Sequence, residues 1–205
     1  MTTPPTITLD AAGSPEANAL LTTMLQALQR ALRADPGDVS VLERALSEAL
    51  VAYDAYLDLV VTAHPMSCRA GCTACCHDNP RGVTGVELER LQRAVGALPD
   101  AAAVRAHFAR LAAARTDADT WRRRRETCPL LDAEGRCRAY AFRPLACRAF
   151  VAVTPADWCD PGSPSYAARV NPHLDPPRVI LQILQALSAR RGLVVATDLH
   201  TGMAP

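Results

Sequence analysis

The sequence predicts an all-α fold, a helical bundle with two cysteine-rich loops forming a metal centre and little or no β-strand. Three observations lead there. Apolar residues recur at helical spacing in several long stretches, no alternating strand pattern of any length occurs, and the eight cysteines fall in only two places.

Taken in order, residues 1–13 are polar and Pro-rich and are expected to form a disordered tail. Ser14-Pro15 is a helix start, a capping residue followed by Pro at the first helical position. The spacing of Ala17, Leu20, Leu21, Met24, Leu25, Leu28, Ala31 and Leu32 predicts one buried face. Asp35-Pro36 repeats the start signal. A second face follows at Leu42, Leu46, Ala49, Leu50, Tyr53, Leu57, Val60 and Val61, ending at His64-Pro65, so the two read as a helical hairpin. Thr84 with Glu87 three positions on is a capping box, opening a helix through Leu88, Leu91, Val95 and Leu98. Asp100 is expected to cap an Ala-rich helix past Val104, Phe108 and Leu111 towards Trp121. Residues 127–175 are loop-dominated, broken by Pro and Gly, with one helical turn expected at Pro144. Asp175-Pro176 starts a last helix whose face is Ile180, Ile183, Leu184 and Leu187. Arg190 and Arg191 are expected to oppose its dipole, and Gly192 to close it in the left-handed region. Leu193-Val194-Val195 is the only strand candidate.

Composition sets the bounds. A chain of 205 residues fits one domain, here 14–205, with its cysteine-cluster core at 68–159. Hydrophobic content of 49% is ample for a core, and with only nine aromatic residues that core must be Leu, Val and Ala. A net charge of +1 argues against global attraction to nucleic acid or an anionic membrane. The N-terminus shows no charged region followed by an apolar one, and no apolar run approaches the roughly 20 residues that span a bilayer. A cytoplasmic location is therefore expected. In that reducing compartment clustered cysteines read as metal ligands or redox groups rather than disulfides.

Cys68, Cys72, Cys75 and Cys76 lie within nine residues, between the Pro65 break and the Asn79-Pro80 turn, with Gly71 inside. Thiolates three or four residues apart on a turning segment can converge on one soft cation. Side chains of adjacent residues diverge, so one of Cys75 and Cys76 is expected to ligate. The other would serve a second metal, pair with a later cysteine or stay a free thiol. The second set is Cys128, Cys137, Cys147 and Cys159. Asp132-Ala133-Glu134-Gly135 forms a turn between the first two. Arg136, Arg143 and Arg148 place cations near the thiolates, where they are expected to lower thiol pKa values and offset charge.

The run Cys68-x3-Cys72-x2-Cys75-Cys76, then Cys128-Pro129-x-Leu131, Gly135-x-Cys137, Tyr140 and Arg143-Pro144-x2-Cys147-Arg148, resembles the CxxCxxCC cysteine-cluster family. That family is also called YkgJ-like and is described as zinc- or iron-chelating. The resemblance covers about residues 68–150 and rests on order, spacing and the Arg-Pro element together. All eight cysteines are candidate metal ligands, Cys159 lying outside the motif, with Tyr140, Arg143 and Arg148 as candidate cofactor-binding residues. A group sharing the motif, the flagellin lysine methylases, resembles an iron–sulfur protein using S-adenosylmethionine. This chain is short for that activity and shows no glycine-rich nucleotide loop after a strand.

The expected function is a metal-binding protein, with an iron–sulfur cluster favoured over zinc because the donors are all sulfur and eight thiolates exceed one zinc site. Redox work or modification of a protein or peptide partner would follow. The alternatives are a structural-zinc helical interaction module and metal storage or delivery. The spacing Cys-x3-Cys-x2-Cys also occurs in radical S-adenosylmethionine enzymes, but no strand series exists to build their barrel. His77 reads as a solvated loop residue, and His64, His107, His173 and His200 lack metal-like spacing. Trp121 with Arg122–Arg125 reads as a solvated helix end. No acid–base pair, Ser/His/Asp grouping or phosphate loop stands out, so no catalytic residue is assigned.

Overall fold

A computed structural model describes residues 14–63, 68, 72–77, 81–114, 120–121, 124–160, 162–166 and 175–204. The elements are α1 (Pro15–Arg33), α2 (Val39–Ala63), β1 (Arg81–Val83), α3 (Gly85–Gly96), α4 (Ala101–Ala113), α5 (Leu145–Arg148), α6 (Asp175–Arg190), β2 (Ala196–Asp198) and α7 (Leu199–Met203). Single 3-10 turns occupy Ala74–His77, Tyr140–Phe142 and Ala156–Cys159. Among the described residues the fold is mainly helical with one two-stranded sheet, in line with the all-α expectation. No described helix is long and apolar enough to cross a membrane. The tail 1–13, the breaks at His64-Pro65 and Asn79-Pro80, Gly71, Arg122, Arg123 and His173 lie outside the described residues.

Helix α1 starts as the sequence implies, with Pro15 at its N-terminus and the Ser14 hydroxyl accepting from the Ala17 N–H at 3.1 Å. Its buried stripe is Ala17, Met24, Ala27, Leu28 and Ala31. Leu25, expected on that stripe, is 38% exposed, because Ala27 takes the inward position and leaves room for close approach to α2. Helix α2 begins later than the Asp35-Pro36 signal. Asp35 spends its carboxylate on the Gly37 N–H at 2.8 Å, closing a turn, and Asp38 caps the helix by accepting from the Val41 N–H at 3.0 Å.

The first apolar cluster joins α1, α2 and α6 through Leu28, Leu46, Tyr53, Ile180 and Leu184, and reaches Val86, Leu145 and Val151. Gly192 has φ +66°, and the Leu193 N–H returns to the Ser188 carbonyl at 2.9 Å, so α6 ends as expected. The two arginines before it do more than oppose a dipole. Arg190 donates to the Leu32 carbonyl and, at 3.2 Å, to the Ala34 carbonyl, satisfying the open end of α1, while Arg191 pairs with Glu89 on α3.

The second cluster joins α3, α4 and α7 through Leu88, Leu91, Val95, Val104, Phe108, Leu199 and Met203. Trp121 lies at this end, its ring centroid 5.0 Å from that of His200, which in turn is 5.9 Å from Phe108. Three expectations change here. The strand is Ala196–Asp198, not 193–195, and it pairs antiparallel with β1 in the register Arg81↔Asp198 and Val83↔Ala196. Val194 is instead 81% exposed, since these residues carry the turn out of α6. Helix α6 is also not the last: Asp198 caps α7 by accepting from the Thr201 N–H at 2.9 Å. Asp100 precedes α4 but does not cap it with its side chain. Its carboxylate binds the Arg138 guanidinium at 2.8 and 2.9 Å, a charged partner that wins over an amide.

Candidate metal centre

Each cysteine loop is shaped locally before the two meet. In the first, the Cys76 N–H closes on the Thr73 carbonyl at 2.8 Å, winding Ala74–His77 into a turn that carries Cys75 and Cys76. In the second, Asp132 accepts from the Glu134 and Arg136 N–H groups at 3.0 and 2.7 Å, and Gly135 turns with φ +76°. This is the turn expected at 132–135. It lets Leu131 bridge Cys137 and the Arg138 N–H reach the Leu130 carbonyl at 2.8 Å, so Cys128 and Cys137 sit on one small hairpin. Cys147 follows on α5, which Pro144 initiates as expected.

The loops interlock. The Cys128 N–H donates to the Cys76 carbonyl at 3.0 Å. His77 Nδ1 lies 3.3 Å from the Glu126 carbonyl, which can only accept, so that nitrogen carries the proton. The hairpin tip leans on the first loop, since a Cβ at Gly135 would stand 3.0 Å from Thr73 Cγ2. Cys68 is fastened separately, its sulfur accepting from the Ala152 N–H at 3.3 Å.

Cys75 is the electrostatic hub. Its charge raises the thiols of Cys68 in its own loop and of Cys128, Cys137 and Cys147 in the other, while Cys72 also raises Cys68 and Cys76 raises Cys75. The neighbouring Cys76 and burial raise the Cys75 thiol well above its ordinary value. Cys159 is placed by a different element, the Ala156–Cys159 turn, and is the most buried of the eight. None of the eight cysteines forms a disulfide.

Burial, rather than the arginines, sets the thiol chemistry. It pushes Cys128 up to about 12 and Cys147 well above its ordinary value. It also raises Cys68, and raises Cys137 although Arg143 and Arg148 pull the other way. Arg143 and Arg148 thus pull the Cys137 thiol down as expected, but desolvation of the anion outweighs the attraction. Arg136 turns outward to Asp132 and Glu134, at 2.9 and 3.0 Å.

The other named residues form the scaffold behind the sulfurs. Arg148 is 3% exposed; it pairs with Asp54 of α2 and donates to the Arg143 and Ala141 carbonyls at 2.9 and 2.6 Å. Arg143 reaches Asp54 at 3.4 Å, and its guanidinium lies 3.8 Å from the centroid of the exposed Tyr140 ring. Asp54 and the second oxygen of Glu87, which accepts from the Leu145 N–H at 2.6 Å, were not legible as site residues. The one available signal for Asp54 was a carboxylate beside Tyr53 on a strongly apolar face.

The donor set is partly buried and all sulfur, which fits zinc or iron and suits the oxygen-seeking calcium and magnesium poorly. Among the described residues no three His, Cys, Asp or Glu side chains stand with their donors already gathered for an ion, so closure requires thiols to turn inward on their loops. Residues 67–163 match a family model, CxxCxxCC, described as a "putative zinc- or iron-chelating domain". No curated protein and no solved structure matches the chain.

Proposed function

Residues 67–163 of this chain belong to the CxxCxxCC family of zinc- or iron-chelating domains, and on that premise we propose that the protein carries an iron–sulfur centre with redox or protein-modifying work. The observation that supports this most is the bond from the Cys128 N–H to the Cys76 carbonyl at 3.0 Å, which joins the two cysteine loops. Cys68, Cys72, Cys75, Cys76, Cys128, Cys137 and Cys147 would hold the centre, with Cys159 closing from its own turn. The two loops and the 156–159 turn offer more sulfur donors than a single tetrahedral ion uses. Arg143 and Arg148, whose charge reaches Cys137, offset part of the negative charge that several thiolates bring. A bound cluster supplies one-electron redox chemistry at a potential set by charge and burial around it. The chain's own residues hold the sulfurs, exclude water from them and present the Tyr140 and Arg143 surface to a protein or peptide partner.

Elemental analysis and a visible spectrum of anaerobically purified protein test this reading. A brown protein carrying iron and acid-labile sulfide is expected. A colourless preparation with stoichiometric zinc would overturn it and leave the second reading, a zinc staple for a helical interaction module. That reading is favoured by the shortness of the elements in 126–160, single helical turns and one bridge, which cannot order themselves without help.

A further inference from the structure

Glu87 is 3% exposed, and an ionisable side chain is rarely buried so fully without partners. Its Oε2 accepts from the Thr84 N–H at 2.9 Å and the Thr84 hydroxyl at 2.6 Å. That half completes a capping box and needs nothing further. The other oxygen, Oε1, leaves α3 altogether and accepts from the Leu145 N–H at 2.6 Å. Leu145 is the first residue of α5, and α5 is the single turn that carries Cys147.

A four-residue helix cannot hold itself in water, since one turn fixes several dihedrals for a single bond. Here both ends are fastened from outside. Glu87 takes the leading N–H, and Arg148 anchors the trailing end to Asp54 and to the Arg143 and Ala141 carbonyls. The Leu145 side chain packs in the first apolar cluster with Val86, one residue before Glu87. Helix α3 is itself fixed at that point, for the Val86 N–H donates to the Ser188 hydroxyl of α6 at 3.2 Å. Cys147 thus inherits its place from α3, and Glu87 lies near enough to act on its sulfur electrostatically.

We propose that Glu87 is a positioning residue for the metal centre, its carboxylate fixing α5 and with it the place of Cys147. The inference rests on the metal-binding reading above. A carboxylate suits the task because both of its oxygens accept. An amide at this position would present its NH2 either to the Thr84 N–H or to the Leu145 N–H, two donors facing one another.

The test uses the full chain, reduced and anaerobic, titrated with cobalt(II) as a thiolate-sensitive probe and then with zinc in competition. Glu87→Gln is expected to weaken cobalt binding by about tenfold and to dim the sulfur-to-cobalt charge-transfer band, as Cys147→Ser does. Its effect should largely vanish in the Cys147→Ser background, because both changes act through one sulfur. Thr84→Ala, which damages the capping box but leaves the Leu145 bond, should lower Tm and keep the cobalt spectrum. Should Glu87→Gln lose its helical circular dichroism, Glu87→Asp decides, keeping the charge while drawing it back from Leu145. Wild-type affinity and spectrum in the folded Glu87 variant would overturn this inference alone. A wild-type chain that takes up neither cobalt nor zinc would overturn the metal-binding reading and this inference with it.

Discussion

The backbone N–H of Cys128 donates to the carbonyl oxygen of Cys76 at 3.0 Å, so main chain joins the two cysteine loops across the helices α3 and α4 that separate them in sequence. The bond uses no side chain, and it sets two cysteine-bearing residues side by side whatever their sulfurs do. Metal would then tighten an existing junction rather than create one.

The charge of Cys75 acts on thiols of both loops, so it is the sulfur whose loss should be felt most. Cys75→Ser is expected to remove more bound metal than Cys76→Ser, measured as metal per chain after gel filtration. Equal losses would show that the adjacent pair is interchangeable.

Arg148 should matter for stability through its partner on α2. Asp54→Ala strands a guanidinium whose side chain is 2% exposed, and leaving such a charge uncompensated is expected to cost about 3 kcal/mol in urea unfolding. The two backbone carbonyls that remain bonded to Arg148 keep the loss at the low end of that class. Asp54→Ala with Arg148→Met should recover part of it. A midpoint unchanged in the single variant would show the pair to be idle.

Acid should destabilise the end of the molecule around His200. Burial pushes its imidazole down from 6.5 to about 4, with Asp198 opposing and His107 adding to the effect. The folded pKa lies below the unfolded one, so as pH falls the unfolded chain takes up the proton first. The contribution is whole above about pH 6.5, declines through the interval and is lost below about 4, on the order of 3 kcal/mol in all. His107, also pushed down by burial, acts in the same sense. His200→Phe should flatten Tm against pH between those limits, and a wild-type Tm that is level there would refute the account.

Two glycines on α3 should respond in opposite directions. A Cβ at Gly85 would stand 2.4 Å from Leu193 Cβ and 2.9 Å from the Val194 carbonyl, so Gly85→Ala should cost about 1–3 kcal/mol by overpacking. At Gly96 the nearest obstacle is the far end of the Arg105 side chain, at 3.2 Å. Gly96→Ala should stabilise by about 0.5–1 kcal/mol through the entropy of the unfolded chain. Thermal melts of both variants check the pair.

What the sequence revealed follows from range. Ser14-Pro15, Thr84 with Glu87, Pro144 and Gly192 act within one helical turn, and each appears where its chemistry implied. The meeting of the two cysteine loops, carried by the Cys128 N–H on the Cys76 carbonyl, was legible too, as was the turn at 132–135. Errors came where a side chain had a distant competitor. Asp100 left its helix for Arg138, Arg190 left its own helix end for that of α1, and the strand formed at Ala196–Asp198 because β1 was there to pair with it. Asp54 and the second oxygen of Glu87 act only across the fold, and no local pattern announces them.

Strand β2 and helix α7 have a practical consequence. They lie beyond residue 163, where the family match stops, yet β1 takes its pairing partner from one, and Leu199 and Met203 of the other pack within the apolar cluster of α3 and α4. A fragment trimmed to the matched borders would bare Leu88 and Leu91 and leave a raw strand edge, inviting aggregation. The chelating module borrows its floor from the far end of the polypeptide, and any excision for biophysical work has to carry that end along.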